Sequence, residues 1–396
     1  MMKSAAFKKP KNNLITFSII LLLSFFSFFE ESMLKYIPVV AFVSVLLIPF
    51  AIAFDLILNK TALDTSDIKI IAAFAVFIFF QFFGISFNSF YKSLTPIYRS
   101  FSALAVVIYI KHLKWDEYKS RALYILSAMV IVAGFVSFLL PEQENGNAYF
   151  GNLNTVGVLF FTFFIINYLF YLKQKKHNSI ALIFMGLFAF LTLLSNTRTA
   201  MFLLIITVAL CLIISFTKIK KISPELFYLI TFFCAALFIV FYFNIKRNGL
   251  YDLLNEISQK IFRKNFDSGR PDLWNFAVDA VGDRWFIGRG NYAELSDFVY
   301  WTKTPHSVYF DVYLKNGLSG LFFFIAMLTT VLQEKGKYNN SRLNILIMIS
   351  AFIILFYNAV GIVLTKPRSG IGLIHWAIIA LPYFDLFKSN LKDSLI

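Results

Sequence analysis

The chain has 396 residues, 59% of them hydrophobic and 15% charged, with a formal net charge of +15. Soluble domains carry roughly 25% charged residues, and fifty phenylalanines are too many for one water-soluble core. These values exclude a soluble helical protein and point to the bilayer.

Apolar runs of about 18 to 25 residues recur along the whole length, each long enough to cross roughly 30 Å of hydrocarbon. In chain order they predict about twelve spans, at roughly 13–29, 36–58, 68–91, 97–113, 122–140, 154–172, 179–194, 200–217, 224–245, 306–333, 343–365 and 370–387. Arg99 and Ser100 interrupt the start of the fourth. Lys3 to Lys11 resemble a signal-peptide n-region, but the apolar run after them reads as the first of many spans, so no cleavable leader is expected. Cys211 and Cys234 both fall in apolar runs and read as small buried hydrophobes. The expected fold is all-α, a polytopic integral membrane protein in one integrated membrane domain. Residues 1–245 hold spans one to nine, 246–305 form one large loop, and 306–396 hold the last three spans.

Charge sets the expected orientation, because basic residues gather in cytoplasmic connectors. With the N-terminus inside, the inner connectors collect 21 of the 37 basic residues, among them Lys60, Lys69, Lys111, Lys119 and Lys335. Glu30, Glu31, Glu142 and Glu144 fall outside. Both termini are then cytoplasmic and the large loop faces outward. That loop carries nine Lys or Arg residues, which points to an anionic partner. Lys92, Arg99, Arg198, Arg270, Arg284, Arg289, Lys366 and Arg368 all fall on or near the outer face. Each taken singly is equally well a headgroup contact or a snorkelling side chain.

Four constellations stand out. In Ser195-Asn196-Thr197-Arg198-Thr199-Ala200, capping residues open a helix whose N–H groups and positive dipole end suit phosphate oxygens, with Arg198 adding a fork of donors. An interfacial turn with a snorkelling arginine reads the same way. In Ser268-Gly269-Arg270-Pro271-Asp272-Leu273-Trp274, Pro271 suits the first turn of a helix running to about 282, and Arg270 stands at its entrance. The alternative is an ordinary N-cap. Gly288-Arg289-Gly290-Asn291 allows close backbone approach to a ligand and equally a plain loop. His306 joins the loop to a membrane helix; Gly317, eleven residues on, is expected three turns along the same face. A neutral imidazole there can accept a proton from a sugar hydroxyl, or it is a cap histidine. The four histidines (His112, His177, His306, His375) are scattered, and no metal site or cofactor is expected. No phosphate loop of the P-loop kind appears, so the chain alone offers no ATP-driven pump. Nucleic acid is not an expected partner.

These pieces, in this order, resemble the O-antigen ligase and polymerase superfamily. The resemblance rests on Asn152-Leu153-Asn154 before the sixth span, Ser195 to Arg198, Ser268-Gly269-Arg270 with Trp274, Gly288-Arg289-Gly290, and His306 with ten residues to Gly317. The layout, with its large loop before the tenth span, is also similar. Two positions depart from the family pattern: Phe202 stands where leucine is expected, and Leu153 where proline is common. The resemblance implies a GT-C-like membrane glycosyltransferase in the bacterial inner membrane. It would move a glycan from undecaprenyl diphosphate to lipid A core, or to another lipid-linked repeat unit, at the periplasmic face. It would do so without metal and with inversion. It further implies Arg198 and Arg270, with Arg289, as the diphosphate grip, Arg99, Arg284 and Arg368 as additional candidates, and His306 as the base. A transporter or flippase of an anionic solute is the reading from a different class; such proteins place their charges near the bilayer midplane.

Overall fold

The computed structural model describes residues 12–29, 37–113, 116–139, 147–148, 151–173, 178–216, 223–245, 250–263, 265–298, 304–334, 342–366 and 370–381. Arg368, His177 and most of the connector residues that set the orientation lie outside these.

Long apolar runs cannot leave backbone N–H and C=O groups unpaired in hydrocarbon, so they form helices. The helices are α1 (Asn12–Ser27), α2 (Ile37–Leu58), α3 (Thr65–Phe82), α4 (Phe90–His112), α5 (Glu117–Leu139), α6 (Leu153–Lys173) and α7 (Asn178–Leu194). They continue as α8 (Arg198–Phe216), α9 (Pro224–Phe243), α10 (Leu250–Phe262), α11 (Arg270–Val281), α12 (Val308–Gln333), α13 (Arg342–Tyr357) and α14 (Gly370–Ala380). A two-residue antiparallel ladder, β1 (Asn147–Ala148) with β2 (Gly151–Asn152), precedes α6. Seven helices (α2 to α6, α8 and α12) are long and apolar enough to cross a membrane, and five shorter apolar helices occupy the remaining predicted span positions. The chain is an all-helical, multi-pass membrane protein.

α6 is apolar on every side and stands at the centre, with every residue from Val156 to Phe170 buried. Outer helices such as α2 and α8 instead expose apolar stripes, Val43, Leu47, Phe50 and Phe54 on one and Phe202, Ile205 and Leu212 on the other. In water that would be a liability; against lipid it is the expected surface. At the end of the bundle opposite the 246–305 loop, buried Asp67 of α3 binds Lys111 at 2.7 Å and His112 at 2.8 Å, and Lys69 pairs with Glu334 at 3.0 Å.

Three expectations change. The third span ends at Phe82, with a 3-10 turn at Phe87–Ser89 before α4. The eleventh ends at Tyr357, and residues 358–366 run as irregular chain before α14. Most consequential, α12 is not one continuous helix. Gly317 has φ 64° and ψ −163° and breaks it, and the segment 285–290 enters the break. Arg289 and Gly290 N–H donate to the Leu314 and Lys315 carbonyls at 2.9 Å each, while Leu318 and Ser319 N–H donate to the Trp285 and Phe286 carbonyls at 2.9 and 3.1 Å. The inserted strand satisfies the groups that the break exposes, which irregular backbone inside a membrane protein requires. His306 precedes α12, so it and Gly317 do not share a helical face. A Cβ on Gly317 would lie 2.4 Å from the Phe286 carbonyl and one on Gly288 2.5 Å from Gly317 N. These glycines let protein backbone, rather than a ligand, come close. Asn291 locks the junction, its amide donating to the Gln81 carbonyl at 2.6 Å and its oxygen accepting from Asn316 at 2.8 Å.

The 246–305 stretch is not a free loop. Its α11 and following turns pack Leu273, Trp274, Ala277, Val281 and Leu295 with Tyr242 of α9, Leu314 of α12 and Val360 into a small core.

Candidate functional site

Two helix entrances meet at the loop face. Between α7 and α8 the chain reverses through Ser195-Asn196-Thr197, a tight turn with Asn196 at φ 49°. It fits because α6 offers Gly157 beneath it: a Cβ there would sit 2.3 Å from Ser195 Oγ and Thr197 Oγ1. Arg198 is the first residue of α8. The second entrance is Ser268-Gly269, at φ 53° and 70°, which leads into α11 with Arg270 as its first residue and Gly269 as N-cap. Proline at the second position suits this geometry because it removes an N–H that no helix turn would satisfy. Each arginine thus stands at a helix start, where the backbone dipole favours an anion.

The entrances interlock. Arg198 donates to Ser268 Oγ at 2.5 Å, to the Asn265 carbonyl at 2.6 Å and to Ser258 Oγ of α10 at 3.0 Å. Arg270 reaches back to Thr199 Oγ1 at 3.5 Å and engages the hydroxyl of buried Tyr242, which also donates to the Asp267 carbonyl at 2.6 Å. Arg270 is half-buried and has no carboxylate partner among the described residues.

His306 arrives from a third direction. Trp274 of α11, fully buried and stacked on Phe310 at 4.9 Å, donates its indole N–H to the Pro305 carbonyl at 2.9 Å. That bond ties the residue before His306 to the helix that Arg270 opens. The imidazole keeps an exposed side, yet the protein packed around it is the dominant influence: burial, then the charges of Arg270 and Lys366, hold its pKa below the usual value near 6.5. It is therefore neutral at pH 7 and able to accept a proton. His306 sits at φ 50°. Of the five non-glycine residues with positive φ among those described, three (Asn196, Ser268 and His306) belong to these approaches. Each such residue costs of order 1 kcal/mol, and clustering of that kind accompanies functional sites.

The other predicted residues lie elsewhere. Arg289 turns to the end of α11, where it donates to the Ala280 carbonyl at 2.5 Å and pairs with Asp283 at 3.2 Å, a position favoured by the negative helix end. Arg284 is exposed in a 3-10 turn at residues 282–284. Arg99 is buried within α4, 2% exposed, and donates to the Leu364 and Val363 carbonyls at 3.4 and 3.5 Å; it does not open onto the loop face. Ser258 and Tyr242 were not legible in the sequence, since a serine on a loop helix and a tyrosine ending a span are commonplace. An apolar cavity of about 160 Å³ lies away from this chemistry. It is lined by Phe17, Val106, Phe163, Phe170, Leu373 and other apolar side chains, with no charged group.

Residues 180–325 match the family described as O-antigen ligase. The matched segment holds Arg198, Arg270, Arg289, His306 and Gly317, and leaves Arg99 and Lys366 outside. The resemblance to the O-antigen ligase and polymerase superfamily is therefore shown over rather more than a third of the chain. It supports an O-antigen ligase or polymerase type of function, membrane glycosyltransferase-like and acting on lipid-linked glycans. No curated protein matches the chain.

Proposed function

We propose that this protein transfers a glycan from undecaprenyl diphosphate onto lipid A core at the periplasmic face of the inner membrane. The observation that carries the reading is the meeting of two helix entrances, each opened by an arginine, beside a neutral histidine. Arg270 and the positive dipole ends of α8 and α11 bind the diphosphate; Arg198 adds charge while holding the loop in place. Lys366, close enough to act on His306, adds a third positive charge. The acceptor hydroxyl gives its proton to the His306 imidazole as its oxygen attacks the anomeric carbon. The glycosidic C–O bond breaks on the opposite face, with inversion, and the diphosphate leaves with its growing charge neutralised. No step needs a metal. Arg289 and Arg99 we assign to holding the structure, by the partners they bind.

The groups of this site, Arg198, Arg270, His306 and Lys366, gather at the loop end of the bundle, which disfavours the transporter reading, in which they would sit at mid-depth. The test is reconstitution of the purified protein with a lipid-linked glycan and each candidate acceptor, in chelator. Glycan on lipid A core supports the ligase. Polymer formed only from lipid-linked repeat units assigns the same site to a polymerase. Solute flux with no transfer discards it.

A further inference from the structure

α10 divides its surface three ways. At about 100° per residue, Tyr251, Asn255, Ser258 and Gln259 fall on one arc. This arc faces the site: Ser258 is buried and accepts from Arg198, Asn255 Oδ1 accepts from Phe266 N–H at 3.0 Å, and Gln259 donates to Asn265. Asp252, Glu256 and Lys260 form a second arc, exposed and polar, with Glu256 and Lys260 paired at 2.6 Å. Leu250, Leu253, Ile257 and Ile261 form the third. They are 54%, 54%, 45% and 65% exposed.

A helix on a water-bathed loop exposes only its polar arc. This one exposes an apolar arc of roughly 100° as well, the pattern of a helix lying in a lipid–water interface. Its neighbours supply the lipid. α10 begins seven residues after α9 ends, and the lipid-facing stripe of α9 runs through Phe233, Leu237, Val240 and Phe241 up to that point. Ser258 binds the first residue of α8, whose own exposed stripe starts at Phe202. The apolar arc thus belongs to a helix next to two helices whose own exposed stripes are apolar.

We propose that α10 is an interfacial helix with Leu250, Leu253, Ile257 and Ile261 seated in the acyl region of the leaflet at the loop face. Through Ser258, the depth of that helix then fixes the depth of Arg198. This placement does not depend on the glycosyltransferase reading and stands or falls separately.

The test places single cysteines in a background with Cys211 and Cys234 replaced by serine. Leu253→Cys and Ile257→Cys probe the apolar arc, and Glu256→Cys and Lys260→Cys the polar arc. Each is labelled with bimane and reconstituted in phosphatidylethanolamine–phosphatidylglycerol vesicles with or without brominated acyl chains. The expected result is strong loss of emission to brominated lipid at 253 and 257 and little at 256 and 260, with the opposite order for aqueous iodide. Equal quenching at all four positions overturns the proposal. So does quenching at 253 and 257 that appears only after polyprenyl phosphate is added, which makes the occupant a substrate tail. Protection from both quenchers that grows with protein density overturns it in favour of a second copy.

Discussion

Two basic clusters sit on opposite sides of the 358–366 segment. On one side Lys366 acts on His306, Thr365 binds Asp311 at 3.2 Å, and the Asn358 and Gly361 carbonyls accept the first N–H of α12 at 3.0 and 2.8 Å. On the other, Arg99 takes the Val363 and Leu364 carbonyls, Trp376 shares the latter at 3.3 Å, and fully buried His375 lies between Thr162 at 3.0 Å and Asn358 at 3.4 Å. Both sides pair arginine with histidine. In the buried cluster Arg99 Nε and Nη2 donate to backbone carbonyls, and His375 lies between Thr162 and Asn358, all of them enclosed by protein. In the other, half-buried Arg270 and exposed His306 stand by a helix start whose dipole favours an anion. Arginine identity says little; what its guanidinium must satisfy decides its role.

The sharpest way to break this contrast is at the open site. His306→Ala and Arg270→Ala should each lower glycan transfer by about 10²–10⁴-fold while the protein still accumulates in the membrane. Near-normal transfer at native expression in both would discard the site. Next comes the junction that aligns the loop. Gly317→Ala forces a side chain into a backbone conformation reserved for glycine and against the Phe286 carbonyl. A loss of several kcal/mol in stability is expected from strain of about 1–3 kcal/mol plus the clash, read as a fall in monodisperse purified protein. Wild-type yield and melting temperature would contradict the inserted-strand geometry.

Arg99→Ala tests the buried side. Two carbonyls lose a donor, at a cost of about 1–3 kcal/mol. A lower melting temperature is expected, with transfer per folded molecule far closer to wild type than in Arg270→Ala. Equal loss of turnover in both would place Arg99 at the chemistry. The smallest effect is electrostatic. With His306 as the proposed neutral base, transfer should fall as pH drops through its pKa, which lies below about 6.5. Lys366→Gln removes one of the charges that depress it, so the acid limb should move to higher pH. A pH profile unaltered by that change would separate Lys366 from the imidazole.

Much of this was open to reading in the chain. Hydrophobic runs place α6, α7 and α8 within a residue or two, because helices in lipid must close their own hydrogen bonds. Capping residues and Pro271 marked the starts of α8 and α11, because local backbone groups need local partners. Other features were hidden. Gly288 read as room for a ligand and Gly317 as sharing a helical face with His306, yet they make room for one another across nearly thirty residues of sequence. Arg99 read as an outer-face cation, but its partners come from a segment some 265 positions away.

The sequence by itself determined that the chain is a bundle of membrane helices, where most of them begin, and which side chains carry positive charge, since these follow from hydropathy and short-range capping. Only the tertiary structure decided which arginines meet His306, that α12 is broken to admit the loop, and that Arg99 and Arg289 are committed to carbonyls. Those outcomes depend on long-range hydrogen bonds and on burial, and neither is written in the spacing of neighbouring residues.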